Sequence, residues 1–445
     1  MTQSCTRQGA KTVIAAACIG NFLEFYNFMA FAFFAPMIGH AFFPSGNHLM
    51  SLLYSLMTFA VGFFVRPLGA LTVGKFAHRY SQRAALMLTF RLMGAGSLLL
   101  ALTPETETIG LLAPVMIVIA RLLQGFSDGG EVGPATTLIF DVAPQGLGGV
   151  FGTIQYMTQL MGTLVAVLIG LALSLSLSHD ALYAWGWRVP FLIGLVIVPV
   201  GIIMRRRAAS FDHATSAHSP IGPEDRSVIR RAVPLIFFCI TSGTISTYLR
   251  NFGVSYAVAV LHLSPAVGMT GMAAGLLVGS AMLLPGMWFA ARLVDPRLFV
   301  ISVGIVAALV SVPLYYFAIH SPGVGSQIVL NIALFMLSSL VNGCIWKTLL
   351  ESLPARSRSF VFGIVYALAV SSFGGLTQPF ITWLVAVTEN PMMPAYLMLL
   401  TVPLGTIPWL LLLRLTEQAS VPVSCHLSRQ NGPDANGRVH LSGHV

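Results

Sequence analysis

Long apolar stretches alternate with short polar segments along this 445-residue chain. Each stretch approaches or exceeds the ~20 residues that a helix needs to cross the hydrocarbon of a bilayer. Because backbone amides in lipid must pair internally, we predict transmembrane helices, and the long continuous runs argue against a barrel of short alternating strands. The fold class is therefore an all-α polytopic membrane protein of about twelve transmembrane helices. The predicted spans are 13–39, 50–75, 84–103, 109–142, 148–176, 187–205, 232–261, 266–292, 298–319, 326–350, 359–386 and 393–414.

The longest polar connection, residues 206–231, lies between the sixth and the seventh predicted span. It combines arginines, acidic residues and prolines, and it divides six helices from six. We therefore expect an N-terminal six-helix half over 1–205 and a C-terminal six-helix half over 232–415, joined by a cytoplasmic linker. The last segment, 416–445, is rich in Ser, Gly, Asn and Arg and is predicted to be a disordered cytoplasmic tail.

Composition agrees with a membrane solvent. Apolar residues make up 56% of the chain and charged residues 9%, whereas a soluble chain carries roughly a quarter charged residues. The net charge of +9 does not indicate a nucleic-acid partner, because the basic residues lie in short segments between apolar runs. Most of the 24 lysines and arginines fall on one set of loops, which predicts that both termini are cytoplasmic in a bacterial inner membrane.

The sequence lacks the motifs that are typical of several other classes of protein. The five cysteines are scattered without CxxC spacing, so neither a disulfide framework nor a metal site is expected. The chain has no G-x-x-x-x-G-K-[ST] motif and no extramembrane segment large enough for a catalytic domain. We therefore predict a secondary transporter that is not an enzyme and uses no cofactor.

Five segments carry motifs that resemble one transporter family. They are GNFLEFYNF at 20–28, RPLGA at 66–70, RLLQGFSDGGEVG at 121–133, WGWRVPF at 185–191, and the loop from Glu351 to Arg356. Together they resemble the metabolite:proton symporter family of the major facilitator superfamily, with a lean towards its citrate and tricarballylate branch. The resemblance implies two six-helix halves that alternate access to a central site, and proton-coupled import of a small metabolite.

The resemblance also implies a set of residues that act in the conformational cycle. They are Arg66, Gly69, Gly74, His78, Arg79, Gly129, Gly130, Gly133, Arg188 and Glu351. Three positions depart from the family pattern: Asn27 and His78 stand where the family has aspartate, and Asp128 stands where it usually has a small residue. The glycines of the fourth span are expected either to pack helices closely or to form a hinge.

Three carboxyl groups lie deep in predicted spans, namely Glu24, Asp128 and Glu131. A charge at this depth costs about 2.5–3.5 kcal/mol on insertion scales, so each needs a reason. We expect one of the three to carry the coupling proton. Glu24 is favoured because no basic residue is near it along its own span, whereas Asp128 and Glu131 could instead pair with Arg121.

Buried basic and polar residues supply a candidate substrate site. A guanidinium suits a carboxylate, so Arg121 and, in the other half, Arg250 are expected to bind an anion; a structural ion pair for Arg121 stays open. Anion binding is less expected of Lys347, because its long side chain can reach the membrane edge. The further candidates for the site are Asn21, Tyr26, Gln155, Tyr156, Gln159 and Tyr248.

These observations predict proton-coupled import of a small organic anion such as citrate or another di- or tricarboxylate. The alternatives are symport of a zwitterionic osmolyte, an uncoupled facilitator, and a sensor that keeps the fold without transport. The expected partners are the anion, protons and membrane lipid, and a monomer is expected.

Overall fold

A computed structural model describes residues 2–80, 82–142, 148–196, 199, 223–293, 295–354 and 358–420. Within those ranges the chain is almost entirely α-helical and contains no β-strand. The helices are α1 Thr2–Phe33, α2 Ala35–Phe42, α3 His48–Arg79, α4 Gln82–Leu102, α5 Thr106–Ile109, α6 Leu112–Val142, α7 Gly148–Ser176, α8 His179–Ala184, α9 Val189–Gly194, α10 Pro223–Asn251, α11 Gly253–Ala259, α12 Pro265–Arg292, α13 Arg297–His320, α14 Val324–Glu351, α15 Arg358–Ala369, α16 Gly375–Thr388 and α17 Met393–Ser420.

The helices confirm the predicted polytopic fold. In the described residues, nine helices are long and apolar enough to cross a membrane, and α1 with α2 forms a bent tenth. The apolar part of α4, Met87–Leu102, is a shorter candidate for the third span. The sixth span is described by α9 and residues up to 196, so most of its second half, like residues 206–222 of the predicted linker, is outside the described part.

Three boundaries differ from the sequence prediction. The first span is not one helix, because α1 and α2 meet at Phe34 with a bend of 59°. Helix α10 begins at Pro223, so the last part of the predicted 206–231 linker is helical. The final helix α17 extends to Ser420, past the predicted start of the tail at 416, and residues 421–445 are outside the described part.

Glycines set the closest helix contact of the N-terminal half, between α3 and α6. A Cβ placed on Gly125 would lie 1.9 Å from the carbonyl oxygen of Gly62, and one on Gly129 would lie 1.9 Å from that of Arg66. Gly69 is as tightly placed, since its Cβ would lie 2.1 Å from the carbonyl oxygen of Phe126. Only residues without a side chain allow two helices to approach this closely, so these glycines bring the side chains of α3 and α6 together.

The C-terminal half repeats this arrangement in α12 and α14. Cβ atoms on Gly271 and Gly275 would lie 2.7 and 2.8 Å from carbonyl oxygens of the facing helix. The two halves meet along two seams, where α3 packs on α16 and α7 packs on α12. Each seam joins one helix of the N-terminal half to one of the C-terminal half.

The eleventh span is interrupted at the middle of its length. Between α15 and α16, residues Val370–Gly374 form a π-helical turn. Cβ atoms on Gly374 and Gly375 would lie 2.8 and 2.7 Å from the ring of Phe63, so the turn leaves a notch that this ring of the other half occupies. A π-turn within a transmembrane helix is a common feature of functional sites.

Several connections gather at one end of the bundle, which we call the loop face. Thr106 donates a hydrogen bond to the carbonyl oxygen of Phe42 at 2.8 Å. Arg188 donates to the carbonyl oxygen of Thr103 at 3.1 Å, and Tyr256 donates to that of Pro391 at 3.0 Å. These bonds join loops that the sequence assigns to the same side of the membrane in both halves.

Candidate functional site

Arg66 and Asp128 form a buried ion pair between α3 and α6. The Arg66 guanidinium donates to a carboxylate oxygen of Asp128 at 2.9 Å, and the Asp128 side chain is only 1% exposed. The guanidinium also lies 4.8 Å from the ring centre of Phe28 and 4.4 Å from that of Phe63. The close packing at Gly129 produces this contact, because it places the backbone of Arg66 against α6.

The neighbouring Arg121 has a different environment. Its side chain is among the largest that are fully buried, and its guanidinium lies over three rings, those of Phe28, Phe31 and Phe59, at 5.2, 4.6 and 5.0 Å. It donates one hydrogen bond, to the side-chain oxygen of Gln124 at 2.6 Å. Within the described part of the chain no carboxylate lies at ion-pair distance from Arg121, and its Nε has no hydrogen-bond partner.

A chain of buried side chains continues from Arg121 to α1. The Gln124 amide nitrogen donates to the Ser97 hydroxyl at 3.0 Å, and that hydroxyl donates to the side-chain oxygen of Asn27 at 3.4 Å. The Asn27 amide nitrogen donates in turn to the carbonyl oxygens of Leu23 and Gly194, at 3.1 and 3.4 Å. This continuous series of hydrogen bonds thus connects α6, α4, α1 and α9.

Glu24 is buried on α1, with 4% of its surface exposed. Its carboxylate interacts electrostatically with Arg66, Tyr248 and Tyr366. Tyr248 belongs to α10 and Tyr366 to α15, so Glu24 faces residues of the C-terminal half. The carboxyl group expected to carry a proton is therefore located at the interface of the halves.

Arg250 is the buried cation of the C-terminal half, at 5% exposure. It donates to the Thr247 hydroxyl at 3.1 Å and lies 5.2 Å from the ring centre of Phe335. Tyr156 of the N-terminal half also interacts electrostatically with it. Its Nε has no hydrogen-bond partner among the described residues.

Other predicted site residues divide into two groups. Asn21 and Tyr26 make contacts within the N-terminal half: Asn21 donates to the Gln155 carbonyl oxygen at 3.0 Å, and Tyr26 donates to that of Pro190 at 2.8 Å. Gln159 donates to Asn21 at 3.5 Å and also interacts with Tyr366 of the C-terminal half. Tyr156 and Gln159 therefore interact with residues of the C-terminal half and Tyr248 interacts with Glu24, whereas Tyr26 donates to the backbone at α9.

The predicted motif residues are similarly divided. Arg188 joins the loop face to the start of α9 through Thr103 and through Glu105, the latter at 3.4 Å. Arg79 and Glu351 are exposed at helix ends, and Gly74 has no atom within 4 Å of a Cβ built on it. The helical backbone passes through His78, Gly130, Glu131 and Gly133, but the surroundings of these four residues and the side chain of Lys347 are outside the described part of the chain.

Three residues of this region are absent from the sequence prediction. Tyr366 interacts electrostatically with Gln159 and Glu24, and Tyr315 with Arg250. Ser97 connects Gln124 to Asn27. An isolated tyrosine or serine in an apolar span gives no motif, so only its position after folding reveals these contacts. The partner of Asp128 was also not foreseen, since Arg121 or no partner at all was expected and Arg66 is observed.

The sequence and the fold both match known transporters. A family described as "Sugar (and other) transporter" matches residues 13–205. The chain is 30% identical over 406 residues to the citrate-proton symporter of Salmonella typhi, covering 89% of this chain and 92% of that protein. It is 31% identical over 390 residues to the alpha-ketoglutarate permease of Escherichia coli K12, covering 85% of this chain and 88% of that protein.

More distant matches are found both among sequences and among solved structures. The proline/betaine transporter of Escherichia coli K12 is 26% identical over 419 residues, covering 89% of this chain and 82% of that protein. Among solved structures, a D-xylose-proton symporter superposes with a TM-score of 0.66 at 15% identity, covering 90% of this chain and 96% of that one. The structural match shows the fold alone.

Proposed function

This chain belongs to the metabolite:proton symporter family of the major facilitator superfamily, and we propose that it imports a small organic anion together with protons. It is a multi-pass membrane transporter and not an enzyme. The proposed substrate class is di- and tricarboxylates such as citrate. The Salmonella relative is named for citrate and the Escherichia relative for alpha-ketoglutarate, and both names support that class.

The observation that carries the proposal is the state of Arg121. A guanidinium this deeply buried is expensive unless an anion or hydrogen bonds compensate it. Asp128, which lies two turns further along the same helix, is already bound to Arg66. The Arg121 guanidinium lies over three aromatic rings and donates a hydrogen bond to one side-chain amide. A carboxylate of the substrate would supply the charge-assisted hydrogen bonds that the described residues do not.

Arg250 is the proposed second cation. It lies in the C-terminal half, it is buried, and its Nε has no partner among the described residues. Two guanidinium groups on opposite halves favour an anion with more than one carboxylate, because each group would hold one end. Such an anion would also attract both halves to itself, which is what closure around a substrate needs.

We assign the coupling proton to Glu24. Its carboxyl group is buried at the interface of the halves, and it interacts with Arg66 of one half and with Tyr248 and Tyr366 of the other. A change of its charge would therefore alter interactions across the interface that must open and close. Asp128 is the weaker candidate because its carboxylate is already engaged by the Arg66 guanidinium at 2.9 Å. Glu131 stays a candidate on sequence grounds alone.

The orientation and the organisation of the chain also belong to this proposal. The basic loops predict that both termini are cytoplasmic and that the loop face is periplasmic, in a bacterial inner membrane. The division at the 206–231 linker, the cytoplasmic tail and a monomeric protein surrounded by lipid are retained as proposals. The conformational roles of Arg66, Gly69, Gly129 and Arg188 follow from the same assignment.

A second substrate class is supported by one similarity. The proline/betaine transporter of Escherichia coli covers nearly the same length of this chain, so a zwitterionic osmolyte is the alternative. The cationic group of a zwitterion would be repelled by the guanidinium groups of Arg121 and Arg250, unless a carboxylate of the protein lay close to it. An uncoupled facilitator is the alternative to symport, and it differs by its failure to accumulate substrate.

Purified protein in proteoliposomes tests the proposal. The panel contains acetate, succinate, 2-oxoglutarate, citrate and glycine betaine, each with and without an acid-outside pH step. We expect accumulation of a di- or tricarboxylate only with the step. Accumulation of glycine betaine alone would select the osmolyte class, and equal uptake without the step would select a facilitator.

The variant Glu24→Gln tests the proton assignment in the same vesicles. Gln imitates the protonated carboxyl group, so exchange of labelled substrate at equal pH should continue while accumulation driven by the pH step is lost. Glu107→Gln, the same change at an exposed glutamate on the loop face, is the matched control and should accumulate as the wild type does. Accumulation by Glu24→Gln equal to that of the control would remove Glu24 from coupling.

A further inference from the structure

Asn27 stands where the resembling family has an aspartate, and its contacts account for an amide at this position. Its nitrogen donates to two backbone carbonyl oxygens, those of Leu23 and Gly194, while its oxygen accepts from Ser97. An ionised carboxylate has no donor, so it would meet both carbonyl oxygens without a hydrogen. The position therefore requires a group that is a donor on one side and an acceptor on the other.

Gly194 is fitted to this amide. A Cβ on Gly194 would lie 1.9 Å from the Asn27 side-chain oxygen, so any other residue there would displace the amide. The contact holds Asn27 between α9 and α4, where Ser97 is 0% exposed. The amide is thus fixed in position by its packing as well as by its hydrogen bonds.

The direction of each hydrogen bond follows from the fixed ends of the chain. Arg121 can only donate, so the Gln124 oxygen must face it and the Gln124 nitrogen must face Ser97. Ser97 then uses its single hydrogen towards the Asn27 oxygen. Each member leaves the next one only a single suitable orientation, so the series is polarised from Arg121 to α9.

We propose that Asn27, Ser97 and Gln124 are positioning residues that hold the Arg121 guanidinium in the orientation in which it binds the anion. The inference rests on the proposed role of Arg121 and extends it to three residues that do not contact substrate. The amide at 27 is then a requirement of this arrangement and not merely a missing proton site. Because Gly194 belongs to the sixth span, the series also ties the orientation of Arg121 to the position of that span.

The decisive comparison is between two serine substitutions. Ser97→Ala removes the middle of the series. Ser127→Ala is the matched control: Ser127 is equally buried, and it also joins α6 to α4, by donating to the Thr89 carbonyl oxygen at 2.6 Å, but it is outside the series. We expect Ser97→Ala to raise the KM for uptake of the transported carboxylate by about tenfold with a less than twofold change in maximal rate, and Ser127→Ala to change neither by that factor. Equal effects of the two substitutions would overturn the inference.

Two near-isosteric variants provide a second test should Ser97→Ala fail to fold. Gln124→Glu places a carboxylate beside Arg121, which should lower carboxylate affinity by more than tenfold, whereas Gln124→Met should behave like Ser97→Ala. Asn27→Asp should lower the thermal unfolding temperature at neutral pH more than Asn47→Asp, a change outside the series at an exposed side chain whose oxygen accepts from the Leu49 N–H, as an aspartate also can. If Gln124→Glu binds as the wild type does, or Asn27→Asp is the more stable of the two aspartates, the inference is wrong.

The wild type separates this inference from the function on which it rests. If wild-type protein neither transports nor is thermally stabilised by acetate, succinate, 2-oxoglutarate or citrate, the proposed function fails and the positioning role fails with it. If the wild type responds to one of these anions and the serine variants do not differ, only the positioning role fails.

Discussion

Arg66 and Arg121 lie on the two most closely packed helices of the N-terminal half and both contact the ring of Phe28, yet they are compensated differently. Arg66 meets the Asp128 carboxylate at 2.9 Å. Arg121 meets three aromatic rings and the Gln124 amide, with no carboxylate at ion-pair distance among the described residues. The ring faces attract a cation but leave its hydrogen-bond donors unused, whereas a carboxylate satisfies both.

The difference indicates separate roles for two residues of one type. A cation with an internal counter-ion is stable without a ligand, and its removal leaves an unpaired anion in a buried place. A cation held by aromatic rings gains most when an anion arrives. The first arrangement suits a contact between helices that forms and breaks in the transport cycle, and the second suits substrate binding.

The largest effect is expected from breaking the ion pair. Asp128→Asn leaves Arg66 buried without its counter-ion, which should lower the free energy of unfolding by about 3–5 kcal/mol. Unfolding of purified protein in detergent, followed by circular dichroism, measures the loss. In the double variant Arg66→Gln/Asp128→Asn neither charge remains, and most of the stability should return. A fully stable Asp128→Asn would show that the pair contributes nothing to the fold.

A smaller loss is expected from separating the two helices that carry the arginines. The Cβ introduced by Gly129→Ala would lie 1.9 Å from the Arg66 carbonyl oxygen, so α3 must move, at a cost of about 1–3 kcal/mol. Gly74→Ala, on the facing helix α3, is the control, because no atom lies within 4 Å of a Cβ built there. It should change stability by less than about 0.5 kcal/mol. Equal melting temperatures for the two variants would contradict the close contact.

The smallest effect on stability is expected at Arg121. In Arg121→Met no carboxylate is left unpaired among the described residues, and the flexible side chain still fills the space between the rings, so stability should stay within about 1 kcal/mol of the wild type. Arg66→Met is the comparison and should lose several times more, because Asp128 is then unpaired. The same melting assay measures both. Similar losses at the two positions would remove the distinction between the arginines.

The sequence predicts the helices better than the contacts between them. Spans of apolar residues locate the helices well, because the bilayer allows almost no other structure. The bend at Phe34 and the π-turn at Val370–Gly374 depend on packing against other helices, and the apolar pattern of the spans does not reveal them.

The site shows the same limit. Burial and charge singled out Glu24, Arg121 and Arg250 from the sequence alone, because an ionisable residue in an apolar span needs a reason. Their partners were not predictable, since Arg66 and Asp128 are 62 positions apart and Ser97 reaches Asn27 across 70. Such pairs depend on which helix faces meet, and a single sequence does not encode that directly.

Calorimetric titration of a carboxylate into purified protein at constant pH tests most directly the claim that Arg121 binds the anion. The wild type should bind the di- or tricarboxylate that it transports, and Arg121→Met, folded and nearly as stable, should lose at least about a hundredfold in affinity with the loss of its charge-assisted hydrogen bonds. An unchanged dissociation constant for Arg121→Met would contradict the account, because the anion would then be held by other residues.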